Sequence, residues 1–348
     1  LACAFTVAVG LDGRFLAYFG AGEEDAPLVS GGVAEVDHSF RYGDGWTVTV
    51  EQVLTDRDSL AVLTEVIAPE GTVLDGEAYY FELGVELPPA AKTRPAASGW
   101  GYGPVILEDE DPEDNRLTFL TTKGVGELGA ETLLGQSVTL TPMWLQESGG
   151  GKLSVDFSEE EQSCTVELPQ QDGGRTYALN DAIQVDGEEW TLKELYLSPI
   201  SLAFTLEREN ADPQKWELSE MTSMEEEAVL HLASGEAVIL RRVVSQTQDQ
   251  ETGEVRCVFQ TDQVLKAEDV TSITILGQTF SLEDLTAAKK GYAAGDTSTL
   301  TVYRQGETIT LELTWGAVSA DQQSAVQGQT EQDQNTQNGG GYTNPYDL

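Results

Sequence analysis

The segment from Gly45 to Gly71 constrains the fold of this chain more than any other stretch of its sequence. Apolar residues alternate with polar ones on both sides of a charged turn, Thr55 to Ser59; they are Trp46, Val48, Val50, Val53 and Leu54 before it and Leu60, Val62 and Val66 after it. A period of two indicates a β-strand with one buried face, and the Gly and Pro breakers at the ends bound a hairpin. We therefore predict a hairpin with a solvated tip, in which alanine in place of Asp56, Arg57 and Asp58 leaves thermal stability nearly unchanged.

A weaker copy of this hairpin lies 142 residues further along the sequence. In order, Thr49, Val50, Val53, Ser59, Leu60, Ala61, Val62 and Glu65 correspond to Thr191, Leu192, Leu195, Ser201, Leu202, Ala203, Phe204 and Glu207. Further short alternating stretches, with turn signals at intervals of about ten residues, are typical of β-sandwiches. The sequence thus predicts a mainly β protein with two immunoglobulin-like β-sandwich domains, each containing one copy of the hairpin.

These patterns divide the chain into five segments. They are 1–20, the end of a transmembrane or signal segment with an exit helix; 21–168, the first β-sandwich domain; 169–282, the second; 283–316, a short α/β segment with a helix and a hairpin; and 317–348, a disordered tail. Ser281 to Lys290 predicts the helix, because it has an N-cap serine, acidic residues in its first turn and lysines in its last. The tail is rich in Gln, Asn, Ser and Gly, a composition too polar to form a core.

The first ten residues, Leu1 to Gly10, are all apolar or small. They are too few to cross a bilayer, which takes about 20 residues. We interpret them as the outer end of a transmembrane helix or signal sequence, with Leu11 to Gly20 as helical turns that leave the membrane. A short buried N-terminal strand is the alternative. On the first interpretation the protein is a single-pass protein of the cell membrane, and most of the chain is extracellular.

The charge of the chain limits its partners. With 60 acidic and 19 basic residues, the formal net charge is −41. Such a surface repels nucleic acid and anionic lipid, so we expect membrane contact through the N-terminal segment only, and an unknown protein or peptide as the partner. Three cysteines provide no disulfide framework; Cys164 and Cys257 either form a bridge in an exported protein or are two small buried residues.

The sequence contains no recognisable catalytic or metal-binding pattern. The two histidines, His38 and His231, are far apart, and no serine lies in a G-x-S-x-G motif. Three acidic runs, Glu108 to Asp114, Glu159 to Glu161 and Glu225 to Glu227, could supply oxygen ligands for calcium, but none has the D-x-D-x-D-G spacing, which favours solvated loops. We therefore predict a non-enzymatic protein with no cofactor, no catalytic residues and no metal ligands.

Three residues are candidates for a ligand or partner surface. Trp100 and Tyr102 lie in the motif GWGYG, where glycines would expose the rings as a platform for a sugar or peptide. The alternative is that these rings fold back on the sheet. Leu285 lies in the predicted C-terminal helix.

Two stretches carry family resemblances. VTVEQVLTDRDSLAVLTEVIAPEGTVL, which follows LDGRFLAYFG, resembles the uncharacterised extracytoplasmic region of single-pass membrane proteins from Gram-positive gut bacteria. Many of those proteins have a cytoplasmic anti-sigma-factor-like segment. WTLKELYLSPISLAFTL, VLHLASGEAVIL and AEDVTSITILGQTF are similar to the domain that follows, so the resemblance covers about residues 1–282. It implies an extracytoplasmic sensing or regulatory ectodomain, with no catalytic residues.

The segment from Glu268 to Trp315 looks like the second half of a PDZ domain of trypsin-like serine proteases. The matching positions are Leu282, Asp284, Leu285, Gly295, Asp296, Val302, Arg304, Gly306 and Glu307. The carboxylate-binding loop of PDZ domains and a GNSGGP-like nucleophile segment are not found in the sequence. The resemblance implies two alternatives to the ectodomain: a cell-surface peptide-binding or adhesion module with a PDZ-like end, or a fragment of a PDZ-bearing serine protease that lacks its catalytic domain.

Overall fold

Short antiparallel β-strands make up most of the chain, as the alternating sequence pattern predicts. The computed structural model describes residues 11–75, 79–93, 104–107, 111–148, 152–185, 187–208, 227–249, 252–261, 263–282, 297–304 and 307–314. Residues 1–282 belong to one compact unit and residues 283–348 to a second. No helix among the described residues is long and apolar enough to span a membrane.

The first part of the larger unit starts with two short helices. They are α1 (Gly13–Tyr18) and α2 (Ala26–Val29). The strands that follow are β1 (Val33–Arg41), β2 (Thr47–Thr55), β3 (Ser59–Ile67), β4 (Tyr79–Glu86), β5 (Val105–Ile106), β6 (Arg116–Gly124), β7 (Ser137–Glu147), β8 (Ser154–Asp156) and β9 (Cys164–Glu167). Short 3-10 turns lie at Ser30–Gly32, Pro89–Ala91 and Ser158–Glu160. We call residues 33–168 the first module.

The first module consists of two antiparallel sheets around one core. Sheet A has the order β1-β2-β3-β6-β5; sheet B has the order β4-β7-β8, and β9 also pairs with β7. Side chains from both sheets form the core, among them Val50, Val62, Phe81, Phe119, Leu140 and Leu145. Along β7, for example, buried apolar residues alternate with more exposed ones except where the register shifts, so burial of one face of the sheet removes them from water.

The second module, residues 175–282, repeats this arrangement. Its strands are β10 (Arg175–Val185), β11 (Glu188–Leu197), β12 (Ser201–Glu207), β13 (Ala228–Leu232), β14 (Ala237–Leu240), β15 (Arg242–Gln248), β16 (Val255–Gln260), β17 (Val270–Ile275) and β18 (Gln278–Ser281), with a 3-10 turn at Ala267–Asp269. Sheet C has the order β10-β11-β12-β16-β15, and sheet D has the order β14-β13-β17-β18. The second core includes Trp190, Leu192, Phe204, Leu230, Phe259 and Ile273.

The repeat that the sequence predicts is present in three dimensions. Val53 pairs with Val62 in the β2–β3 hairpin, and the corresponding Leu195 pairs with Phe204 in the β11–β12 hairpin. Both hairpins have an irregularity of register at the same place, between Val50 and Gln52 and between Leu192 and Glu194. The edge strands β1 and β10 also share a bulge, in which Asp37 and Asn180 have φ angles of 45° and 57°. Asp and Asn tolerate this left-handed conformation better than most residues.

The β2–β3 hairpin differs from the prediction in its outer half, which is buried on both faces. Val53 and Leu60 point into the first core, whereas Leu54, Ala61 and Leu63 point the other way and are equally buried. These outward side chains pack against Phe15 of α1 and Ile200 of the second module. The alternation of apolar and polar residues predicts only the face that points into the core. The outer face is covered by parts of the chain that are remote in sequence.

In the smaller unit, β19 (Thr297–Arg304) and β20 (Glu307–Thr314) form a hairpin. The pairing is regular along its whole length, from Arg304 with Glu307 to Thr297 with Thr314. The sequence predicts strands at these positions. The predicted helix Ser281–Lys290 lies almost wholly outside the described residues, and the predicted tail, 317–348, lies entirely outside them.

Candidate functional site

The structure locates the candidate site at the junction between the two modules. Trp100, Tyr102 and Leu285, the candidates from the sequence, all lie outside the described residues. The junction is instead built around the tip of the β2–β3 hairpin, for which the prediction of a solvated turn is wrong. Asp56 is 1% exposed and Asp58 is 0% exposed, because the tip of the equivalent hairpin and the linker between the modules cover them.

Asp56 joins the two hairpin tips. Its Oδ1 accepts hydrogen bonds from the backbone N–H groups of Asp58 (2.8 Å) and Ser59 (2.7 Å), which closes its own turn. Its Oδ2 accepts from the hydroxyl groups of Ser198 (2.6 Å) and Ser201 in the second module. Burial, together with the charge of Asp58, raises the pKa of Asp56 to about 6. The donors around the carboxylate replace the water that it loses on folding.

The two tips are copies of one turn with different chemistry. Ser198 is the counterpart of Asp56, and its Oγ accepts hydrogen bonds from the N–H groups of Ile200 (3.1 Å) and Ser201 (2.9 Å), as Asp56 does in its own turn. The backbone N–H groups of Asp56 and Ser198 each bond the carbonyl of the residue three positions on. The difference matters because the two tips face each other. A carboxylate accepts a hydrogen bond from a hydroxyl group, whereas two buried carboxylates would repel each other.

Asp58 pairs with arginines from both modules. Arg57 contacts its Oδ2 at 2.9 Å, and Arg256 of β16 contacts its Oδ1. Arg57 also pairs with Glu194 of β11 at 2.7 Å, and its guanidinium group lies 4.1 Å from the ring centroid of Tyr196. Burial raises the pKa of Asp58, and the two arginines oppose this effect. Removal of Asp58 would leave the guanidinium group of Arg256 without its carboxylate partner in this partly buried set.

The linker between the modules takes part through Asp172. Its Oδ2 accepts from the hydroxyl of Tyr196 and from the N–H of Arg57 (2.8 Å), and its Oδ1 accepts from the N–H of Gly174 (2.8 Å). A side chain at Gly174 would collide with the hydroxyl group of Tyr196. Burial, followed by the charges of Asp56 and Asp172, raises the pKa of Tyr196, so the phenol stays a donor at neutral pH.

We expect Tyr196→Phe to destabilise the protein by about 1–2 kcal/mol, because Asp172 loses a buried donor while the ring remains in place. Urea unfolding of the unsubstituted chain, Tyr196→Phe, Asp172→Ala and the double variant gives the coupling free energy between the two side chains. Additive effects in this cycle would show that the hydrogen bond contributes nothing to the junction.

Helix α1 fills the apolar side of the junction. Phe15 and Phe19 are buried together with Leu54, Leu63, Leu120 and Ile200. Tyr18 reaches the second module, where its hydroxyl donates to Gln260 Oε1 at 3.0 Å. Asp12 caps the helix: its Oδ1 accepts a hydrogen bond from the backbone N–H of Arg14 at 2.8 Å. This bond satisfies one of the N–H groups that have no partner within the first turn of the helix. The sequence predicts the helix, and its packing fastens it to both modules.

The polar groups of the junction bond one another. A small cleft, partly open to solvent, lies beside Asp56, Asp172 and Pro199. The carboxylates of the junction are occupied by donors from the protein itself, and among the described residues no group of three or more His, Cys, Asp or Glu side chains could hold a metal ion. Cys164 is partly buried against the first core, Cys257 is buried in the second, and no disulfide joins the two.

Comparisons with known proteins leave the family of this chain open. No protein-family model matches it, and no curated protein has significant sequence similarity to it. Among solved structures, it is similar to one described as the crystal structure of the conserved domain protein from Bacillus anthracis, with 10% sequence identity and a TM-score of 0.44. The match covers 80% of this chain and 84% of that one.

Proposed function

We propose that this chain is the non-enzymatic, extracytoplasmic part of a membrane-anchored sensing or regulatory protein. The observation that carries this proposal is the junction, where α1 packs against both modules. Phe15 is 0% exposed and Phe19 is 1% exposed, so α1 cannot move away without exposing both rings or shifting the modules with it. A membrane segment joined to α1 would therefore be mechanically coupled to both modules, as a sensor or regulator requires.

We also propose that both modules are immunoglobulin-like. The order β2-β3-β6-β5 opposite β4-β7-β8 corresponds to the ABED and CFG sheets of immunoglobulin constant domains, with β1 as an additional edge strand. The order β11-β12-β16-β15 opposite β14-β13-β17-β18 is the same, with β10 and β14 added. Many cell-surface domains share this architecture, which supports an extracellular role.

Peptide binding by a PDZ-like segment, residues 283–316, is a second candidate function. The β19–β20 hairpin supports it, because it coincides with the stretch that resembles the last strands of a PDZ domain. A cell-surface adhesion module would use the same segment. Loss of binding to a library of C-terminal peptides on deletion of residues 281–315 would favour this candidate over the sensing ectodomain.

Protease treatment of intact cells tests the proposed location. The chain is produced in its native host with its natural upstream sequence and an epitope tag after Leu348. We expect the tag to be in the membrane fraction and to be lost when protease is added to whole cells, while a cytoplasmic control protein stays intact. A protected tag, or a chain recovered wholly in the soluble fraction, would overturn the proposal.

A further inference from the structure

The outer face of sheet B presents a tryptophan between two carboxylates. Trp144 of β7 is 36% exposed, one of the large apolar side chains that remain in contact with solvent. Glu82 of β4 lies directly opposite it on one side, and Asp156 of β8 lies directly opposite it on the other. Side chains in such cross-strand positions have Cβ atoms roughly 4.5–5.5 Å apart. The indole ring and the two acidic groups therefore form one row across the sheet.

Neighbouring side chains hold this row in position. The ring of Tyr80 stacks on Trp144, with the centroids 5.0 Å apart and 22° between the planes. The hydroxyl group of Tyr80 donates to Glu82 Oε2 at 2.9 Å. Asp156 Oδ1 accepts from the N–H (2.9 Å) and the Oγ (2.6 Å) of Ser158, and these bonds lower the pKa of Asp156. Burial and the charge of Glu82 raise the pKa of Tyr80 to about 12, so its hydroxyl remains a donor at neutral pH.

The two carboxylates have no cationic partner within the described part of the chain. The ion pairs of the described residues include neither Glu82 nor Asp156. Elsewhere in the same module, the half-buried Glu65 does pair with an arginine, Arg116. The row thus combines an exposed aromatic face with negative charge that no described cationic residue pairs with.

We propose that the surface formed by Tyr80, Glu82, Trp144 and Asp156 docks a basic segment of a partner protein, with an arginine or lysine side chain over the indole ring. Tryptophan is the strongest cation–π partner among the side chains, and flanking carboxylates add direct attraction. Small molecules bind in concave pockets, whereas this row lies on the open face of a sheet, which suits a protein surface. The net charge of −41 draws basic partners toward the chain.

This inference does not depend on the proposed membrane attachment, so the two can fail separately. It is tested by titrating the full chain with a peptide that contains two arginines and with a matched peptide in which citrulline replaces each arginine. Affinity is measured by isothermal titration calorimetry for every variant, and the shift of the Trp144 indole N–H resonance in nuclear magnetic resonance spectra of the unsubstituted chain locates the contact. We expect Trp144→Ala to weaken binding of the arginine peptide about fivefold, and the citrulline peptide to bind as weakly to the unsubstituted chain.

Ile239→Ala is the matched control, because Ile239 is a similarly exposed apolar residue on β14 of the other module. Neither substitution changes the net charge, so the pair separates a specific site from general attraction to an acidic protein. Equal binding by Trp144→Ala and Ile239→Ala would overturn the proposal. Shifts of the Trp144 indole resonance caused by an oligosaccharide or by choline, but not by the arginine peptide, would also overturn it.

Discussion

Asp56→Ala is expected to destabilise the protein by about 3–5 kcal/mol, although the residue lies at the tip of a hairpin. The substitution leaves two backbone N–H groups and the hydroxyl groups of Ser59, Ser198 and Ser201 without their shared acceptor. All of these donors are buried, so water cannot replace the carboxylate without a rearrangement of the junction. The effect is therefore much larger than that of an ordinary turn substitution.

Urea unfolding at neutral pH measures this effect, with Asp44→Ala as the control. Asp44 is an exposed aspartate in the turn between β1 and β2, and we expect its substitution to change stability by less than about 0.5 kcal/mol. Since each module has its own core, loss of the junction should also separate the unfolding of the two modules into two transitions. Equal effects of Asp56→Ala and Asp44→Ala would show that the tip is solvated after all.

Phe15→Ala is expected to destabilise the protein by about 3–5 kcal/mol. The ring is fully buried between Leu54, Leu63 and Leu120 of sheet A and Ile200 of the second module. Truncation removes its apolar surface from the core and leaves a cavity that these neighbours can fill only in part. Hydrogen exchange should show faster opening at α1 and at both hairpin tips, because the helix contacts all of them.

Val73→Ala is the control for this variant, since Val73 is 54% exposed and its truncation creates no cavity. Phe15→Leu provides a second comparison, because it keeps a large apolar side chain and should cost clearly less than alanine. Thermal and urea unfolding of the three variants can be compared directly. If Phe15→Ala were as stable as Val73→Ala, the helix would not be part of the folded junction, and the proposed coupling to a membrane segment would lose its basis.

The sequence predicts the hairpins well because their signals are local. Alternation from Trp46 to Val66, with breakers at the ends, is sufficient to indicate the strands and the faces that form the first core. The two copies are offset by 142 residues in the sequence, and their paired residues and their register shifts are offset by the same 142 residues in the structure. The predicted helical turns at Leu11–Gly20 contain α1.

The candidate site is predicted poorly because its residues come from several distant segments. Asp172, Tyr196, Ser198 and Arg256 have no motif in common, and their relation to Asp56 arises only from the packing of the modules. The sequence did contain one indication of this contact. When the two hairpins are aligned, Asp56 and Ser198 occupy the same position of the turn, and one is an acceptor and the other a donor. A turn with two aspartates and an arginine reads as a solvated loop unless its partner surface is known.

The sequence alone determined the strands, the repeat and the inner face of each sheet, because hydrophobic periodicity and turn chemistry act over a few residues. Only the tertiary structure decided the burial of the hairpin tip and the docking of α1. A polar side chain is buried when donors and acceptors from other segments replace its water, and no local pattern records which segments those are. The Gly45–Gly71 hairpin is therefore both the most predictable element of this chain and, at its tip, the one whose surroundings depend most on the rest of the fold.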